Sequence, residues 1–374
     1  MNVRTLLLGS LALVAGAACS HKPPEDYAPD PGLLAHIRDI EISITPVAAC
    51  PGSWIQANYQ AVIDDGTRVP FVRSYDKKHP PRLHITFLER TSAEASSNKD
   101  GNWVTNADPI LTATTGFRLT ATLKAKPSIT HTLVVPPDYS CAPHTFAYSG
   151  ATGRVSQGGQ MGPDITVRLG RARSPYYEKL LMAAIEVGSQ PAFYELYDAR
   201  TIPPADFLQI ESRGGAGGPG MAGPHGGDGT NGAGGCPAQP GGNGGAGGDG
   251  GRGGPGGQGG QITIVVPEDE PFMAGLVTAR SMGGPGGPGG KGGPGGAAGK
   301  GGPPVGGSEG RQCARGADGA EGRKGSDGPV GWDGRRGPRP MIVEAPSNEV
   351  FGAGLPPELT ALVRAPAAPP RPRP

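Results

Sequence analysis

No sign of charge predominates in this chain: 34 Lys and Arg stand against 33 Asp and Glu, for a formal net charge of +1. With no basic block in the part that reads as folded, nucleic acid is excluded as the main partner. The seven His lack metal-ligand spacing. His79 and His84 lie either side of a Pro-Pro pair and are expected to face solvent near a strand. Outside the glycine runs, no acidic pair or Cys–His grouping sits in a context that suggests catalysis. Gly306-Gly307-Ser308-Glu309-Gly310 fits G-x-S-x-G, but a nucleophile elbow needs a strand before it and a helix after it. The same missing context removes each G-x-G-x-x-G as a dinucleotide fingerprint. Gly244 to Asp249 begins like a calcium nonapeptide, yet Gly251 stands where that repeat needs a large apolar residue. No enzyme activity, no cofactor and no metal site are expected.

What is present is glycine and proline, 67 and 42 of 374 residues. That level points to a low-complexity or collagen-like component. The glycines are concentrated, with 26 in 214–260 and 24 in 283–337. The rest of the chain is of ordinary β type.

Residues 1–19 place one Arg4, an apolar stretch from Leu6 to Val14, and small residues ahead of Cys19. The stretch is about half the roughly 20 residues that span a bilayer, so it reads as a secretory signal over 1–18. Gly16-Ala17-Ala18-Cys19 resembles the cleavage site of Gram-negative lipoproteins, departing from it at Gly16, where Leu is usual. The resemblance implies that Cys19 is acylated, and Ser20 rather than Asp after it implies export to the outer membrane. Simple cleavage near Ala17-Ala18 and a soluble secreted product is the alternative. Residues 19–34, polar and Pro-rich, read as a tether. No other segment is long enough to span a bilayer.

Four cysteines remain: Cys50, Cys141, Cys236 and Cys313. An even number in an oxidising compartment suggests two disulfides, with three connectivities open and free buried thiols the bland alternative. Cys50–Cys141 and Cys236–Cys313 are preferred, because each pair lies inside one compositional region.

The fold class expected is all-β. Ile40, Ile42 and Ile44, then Leu83, Ile85 and Phe87, then Phe117, Leu119, Ala121 and Leu123, alternate with polar residues, the period of half-buried strands. Asp64-Asp65-Gly66 is a hairpin signal. These strands predict an antiparallel sandwich over 35–148, weakly similar to bacterial immunoglobulin-like modules. A second β region, 149–212, holds strands near 165–169, 180–187, 192–197 and 207–211. Within it Tyr176-Tyr177 and Phe193-Tyr194 read either as core or as a stacking platform for glycans.

From Gly214 to Gly259 every third residue is Gly except Ala238, and from Gly283 to Gly337 the period breaks only at Ala298, Pro304 and Cys313. A flexible linker needs no register, whereas three residues per turn is the period of polyproline II. The region 213–345 is therefore expected to form four such helices, 214–235, 241–260, 283–302 and 316–338, in a bundle. Segments with two Gly in three, such as 241–260, belong inside it, and Gly-X-Y, as in 316–338, belongs at its edge. Gly247, Gly248 and Gly325 are expected to face neighbouring backbone. Asp249, Ser326 and Asp327 are expected to point outward and carry nothing. Strand, glycine excursion, strand occurs three times, with a short version at 150–162, so Cys236 and Cys313 meet at one far end. The region resembles collagen-like and polyglycine II proteins, with a collagen trimer and disorder as the other readings. Residues 346–374 read as a Pro-rich disordered tail.

The function expected is that of a non-catalytic outer-membrane lipoprotein, a spacer or adhesive of the cell envelope. Its partners are the membrane, through the lipid, and an envelope polymer, glycan or protein. The alternative is a glycan- or peptide-binding module in 35–212.

Overall fold

The computed structural model describes residues 23–24, 26–200, 207–306, 313–352 and 355–363. The signal 1–18 and Cys19 lie outside them, as do 307–312 and the end of the chain from 364. The described chain is mostly β and divides into two compact units, 1–138 and 139–374.

In the first unit α1 (Pro31–His36) is started by the Asp30 carboxylate, which accepts the Gly32 N–H at 2.9 Å. Its Leu33 is buried, so the stretch read as a tether already joins the core by that residue. β1 (Ile37–Thr45), β2 (Trp54–Ile63) and β3 (Arg68–Pro70) pair antiparallel. Gly66, at φ 82°, makes the expected turn between β2 and β3. β4 (Leu88–Thr91), β5 (Ala95–Ser97), β6 (Trp103–Thr105), β7 (Phe117–Leu123) and β8 (Thr130–Val135) complete two sheets, β1-β2-β6-β5 with β3 on β2, and β4-β7-β8. One core joins them, including Ile40, Tyr59, Trp103, Phe117 and Leu119. Tyr59 Oη donates to the Gly101 carbonyl and accepts from Trp103 Nε1, both at 2.7 Å; burial pushes the phenol up to about 12.

The alternation at Leu83, Ile85 and Phe87 does not make a strand. Ile85–Phe87 is a single 3-10 turn, and β4 starts only at Leu88. The cause is His84, which is buried rather than solvent-facing: its Nδ1 accepts the Thr86 N–H at 3.3 Å and caps the turn. Burial holds the ring's pKa below the usual 6.5.

In the second unit β9 (Thr145–Ser149), β13 (Leu208–Arg213) and β15 (Val277–Met282) form one parallel sheet, in the order β15-β13-β9. The other sheet is β12-β11-β10-β14-β16, from β10 (Ile165–Ala172), β11 (Leu180–Val187), β12 (Phe193–Asp198), β14 (Ile262–Pro267) and β16 (Met341–Ala345). In it β10, β14 and β16 run parallel. Their inward residues, Val167, Leu169, Ile210, Ile262 and Ile264 among them, make one core. Thr145–Ser149, read with the N-terminal region from sequence, pairs here with β13.

The stretch read as a disordered tail is packed in part. Val350, Phe351, Leu359 and Leu362 are buried, and Phe351 lies where a Cβ on Gly170 would stand, at 2.5 Å. Four apolar residues spaced among Pro and polar ones give no period to read, yet each finds a place in the core.

Between the strands run six glycine-rich legs that are neither helix nor strand: 150–155, 157–162, 214–235, 241–260, 283–302 and 316–337. Each outgoing leg continues a strand of the β9, β13, β15 sheet. Each returning leg leads into a strand of the β10, β14, β16 set.

Candidate functional site

The legs are joined rung by rung through glycine N–H groups. From Gly214 to Gly235, every third N–H donates to a carbonyl of 282–303, from Met282 to Pro303, in parallel. From Gly241 to Gly259 the same row donates to 317–335, again in parallel. The second glycine row of 241–260 donates antiparallel to 214–235, from Gly242 with Thr230 to Gly257 with Gly215. The leg 283–302 donates back to 241–260, and 316–337 donates to 283–302. Each partner pair advances three residues at a time, so one register serves every seam. The outgoing legs form one layer and the returning legs another.

Glycine is required because the backbones are too close for a Cβ. One placed on Gly247 would lie 2.1 Å from the Gly293 carbonyl oxygen, and one on Gly325 2.0 Å from that of Gly248. Gly248 differs from the expectation: its Cβ would meet not backbone but the ring of Pro224, at 2.6 Å.

Asp249 and Asp327 also differ from the expectation, because the exposed carboxylates are used. Asp249 accepts the Ser326 N–H at 2.6 Å and Asp327 the Gly292 N–H at 2.8 Å. Asp228, Asp318 and Asp333 accept from Ala297, Gly301 and Gly286, and Asn231 and Asn243 from Lys300 and Ala320. These are N–H groups that the glycine ladders leave over. The Gly292 N–H, and then the Lys324 ammonium, hold the Asp327 carboxyl below its usual 3.8. With the acids so engaged, Lys291, Lys300, Arg323, Arg335 and Arg336 stand exposed along the 283–337 side. Arg252 lies over the Trp332 ring at 4.3 Å, and that indole is 68% exposed.

Two serines stitch the layers at the base. Buried Ser212 Oγ donates to the Pro163 carbonyl at 2.7 Å and accepts the Gly260 N–H at 3.1 Å. Ser281 Oγ donates to the Gly260 carbonyl at 2.6 Å. Neither role was visible in the sequence, though each serine stands two residues before a glycine register.

Of the sequence-derived positions, Cys236 and Cys313 form a disulfide with Cα atoms 5.3 Å apart, at the far end of the legs. Cys50 and Cys141 are each disulfide-bonded. Cys19 and most of Gly306 to Gly310 lie outside the described residues. Tyr176-Tyr177 and Phe193-Tyr194 are half-buried, Phe193 packing on Phe146 with ring centroids 5.5 Å apart and Tyr177 on Tyr139 at 5.5 Å. Among the described residues no group of three His, Cys, Asp or Glu side chains converges as a metal site requires, and no helix is long and apolar enough to cross a membrane.

Two cavities are lined by described residues. One of about 410 Å³ lies in the first unit beside Tyr27, Phe87 and Lys124. Another of about 250 Å³ lies in the second unit beside Arg171, Phe207 and Phe272, where Arg171 is paired with Glu270 at 2.7 Å. Compared with protein-family models, with curated proteins and with solved structures, the chain matches none.

Proposed function

We propose that the protein is a non-catalytic lipoprotein of the outer membrane, in which a lipid on Cys19 anchors a β region that carries a stiff spacer or adhesive element. The six legs are read as polyproline II-type helices packed in two antiparallel layers, and 35–138 as an antiparallel β-sandwich. The observation that carries this reading is the unbroken three-residue register of the ladders, from the strands to the disulfide at the tip. A catalytic scaffold has no use for such long runs of backbone-to-backbone contact, whereas a rod that must hold its length does. The exposed cations and Trp332 on the 283–337 side supply surface chemistry for an envelope polymer.

Fractionation of cells expressing Cys19→Ala tests the anchor. The variant is expected to leave the membrane fraction or to stall before maturation. Unchanged mass and membrane retention would overturn it.

A further inference from the structure

The leg 316–337 lies at the edge of the bundle, and side chains of 241–260 reach over it with a fixed offset. Asn243 Oδ1 accepts the Ala320 N–H at 2.8 Å and Asp249 Oδ1 the Ser326 N–H at 2.6 Å, a separation of 77 residues in both. The same offset sets Arg252 opposite Pro329. Proline has no N–H to give, so an acceptor has no task at that rung. Arg252 instead lays its guanidinium over the Trp332 ring, 4.3 Å from the centroid, and its Nη1 donates to the Val330 carbonyl at 3.4 Å.

The indole is thereby held from one side and open on the other. It is 68% exposed with Arg252 in place. Its backbone is fixed as well, because the Gly256 N–H donates to the Trp332 carbonyl at 2.8 Å. With three residues to the turn, Arg323, Ser326, Pro329, Trp332 and Arg335 share one outer face in steps of about 9 Å, close to the length of a disaccharide in an extended chain. Arg336 and Arg339 follow on the neighbouring outer face. Among the described residues no carboxylate pairs with Arg252, Arg335, Arg336 or Arg339, and all four are exposed. Asp333, the single carboxylate in 332–339, is turned toward 283–302, where it accepts the Gly286 N–H at 2.9 Å.

We propose that this face binds an acidic polysaccharide, a chain of uronic acid residues, with one sugar ring stacked on the free face of Trp332 and the carboxylates of the following sugars on Arg335, Arg336 and Arg339. The C–H groups of a sugar ring carry partial positive charge and meet the negative face of the indole. A guanidinium fork holds a carboxylate through two parallel bonds. Arg252 is a positioning residue, which fixes the plane of the ring. A polyanion without rings leaves the indole unused, and a neutral glycan leaves the arginines unpaired. A bilayer is matched no better, since Trp332 is the one large apolar side chain on the face from Arg323 to Arg335.

The proposal rests on the reading of the legs as an adhesive element and names what they hold, and the experiment separates the two. The full-length protein in detergent is titrated with fluorescently labelled oligogalacturonate and oligomannuronate, with the neutral methyl ester of the first, and with oligoaspartate, followed by anisotropy. Saturable binding of a uronate is expected, at least about tenfold tighter than that of the ester or of oligoaspartate. Trp332→Ala is expected to weaken it at least about tenfold with the melting temperature retained, because the ladder uses only the main chain there. Trp332→Phe, which keeps a flat ring, is expected to recover most of the loss. Arg335→Gln with Arg336→Gln is expected to weaken binding and to flatten its dependence on salt. No binding of either uronate, equal binding of the ester, or full binding by a folded Trp332→Ala overturns the site. Equal binding of oligoaspartate would make the face a general anion surface, open to a membrane or a nucleic acid alike, and overturns it too. Amide exchange at Gly256 and Gly334 in the same sample reads the ladders beneath the site. Protection there without uronate binding removes this inference alone, and absence of protection removes the bundle with it.

Discussion

At the scale of single residues the ladders make glycine a position-specific requirement. Gly247 and Gly251 are both members of the 241–260 run and look alike in the sequence. In the fold a Cβ on Gly247 would be 2.1 Å from a carbonyl oxygen fixed in the next leg, while one on Gly251 would be in ordinary contact at 3.4 Å. Gly247→Val is therefore expected to destabilise the second unit by more than about 3 kcal/mol. Gly251→Ala is expected to change stability by less than about 0.5 kcal/mol, since the lost freedom of the unfolded chain offsets any small adjustment. Asp249→Ala falls between, at about 1 kcal/mol, because it strands the Ser326 N–H, and Asp249→Asn keeps the acceptor and most of the stability. Urea unfolding of the four variants measures the order. Equal indifference at all of them would mean that the run is not packed.

At the scale of elements, the strands and the register were legible because each writes a period into the chain. Period two marked β1 and β7 within a few residues of their observed bounds, and strands were expected near β10, β11 and β13. The placing of 241–260 inside and 316–337 at the edge follows from counting bare faces, and it agrees with the donors. The former exchanges bonds with four other legs and the latter with two. What could not be read was anything settled by a side chain finding backbone: His84 capping the 3-10 turn, Ser212 and Ser281 at the base, and the Asp and Asn acceptors. Apart from His84, which reaches only two residues along, such contacts join residues between 17 and 77 apart and leave no local pattern. The Cys236–Cys313 bridge is legible in part, since both fall at breaks of the register.

That bridge closes a loop with a sequence separation of 77 and joins segments that have no apolar core to hold them. In the chain-entropy picture a loop of this length contributes about 4–5 kcal/mol, an upper figure for a real protein. Glycine loses more freedom on ordering than any other residue, so the contribution is needed most where the sheets are farthest away. Cys236→Ser with Cys313→Ser is expected to lower the unfolding free energy by up to that amount and to open the tip first. Amide exchange should accelerate at Gly232 and Gly302 well before Gly214 and Gly284, which adjoin the strands. Uniform exchange along the legs would show that the strands alone hold them.

For the molecule as a whole, the question left by the sequence was whether glycine at every third position implies three chains. In a collagen trimer each chain offers one glycine row to an axis shared with two others, so the folded state is lost on dilution. Here every leg finds its partners within the same chain. The Gly214–Gly235 row is met by 282–303, the two rows of 241–260 by 317–335 and 215–230, and the rows of 284–302 and 316–334 by 239–257 and 284–302. The strands at the base set the direction of each leg, because β13 and β15, or β14 and β16, already run parallel before the glycine begins. An antiparallel pair of layers follows from the chain turning back at each tip, and no collagen assembly contains that arrangement. The melting midpoint of the second unit is therefore expected to stay constant, within about one degree, over a hundredfold change in protein concentration, whereas a trimer's midpoint rises with concentration. A midpoint that climbs with concentration would assign the ladders to contacts between chains, and with them the rigidity on which the spacer reading depends.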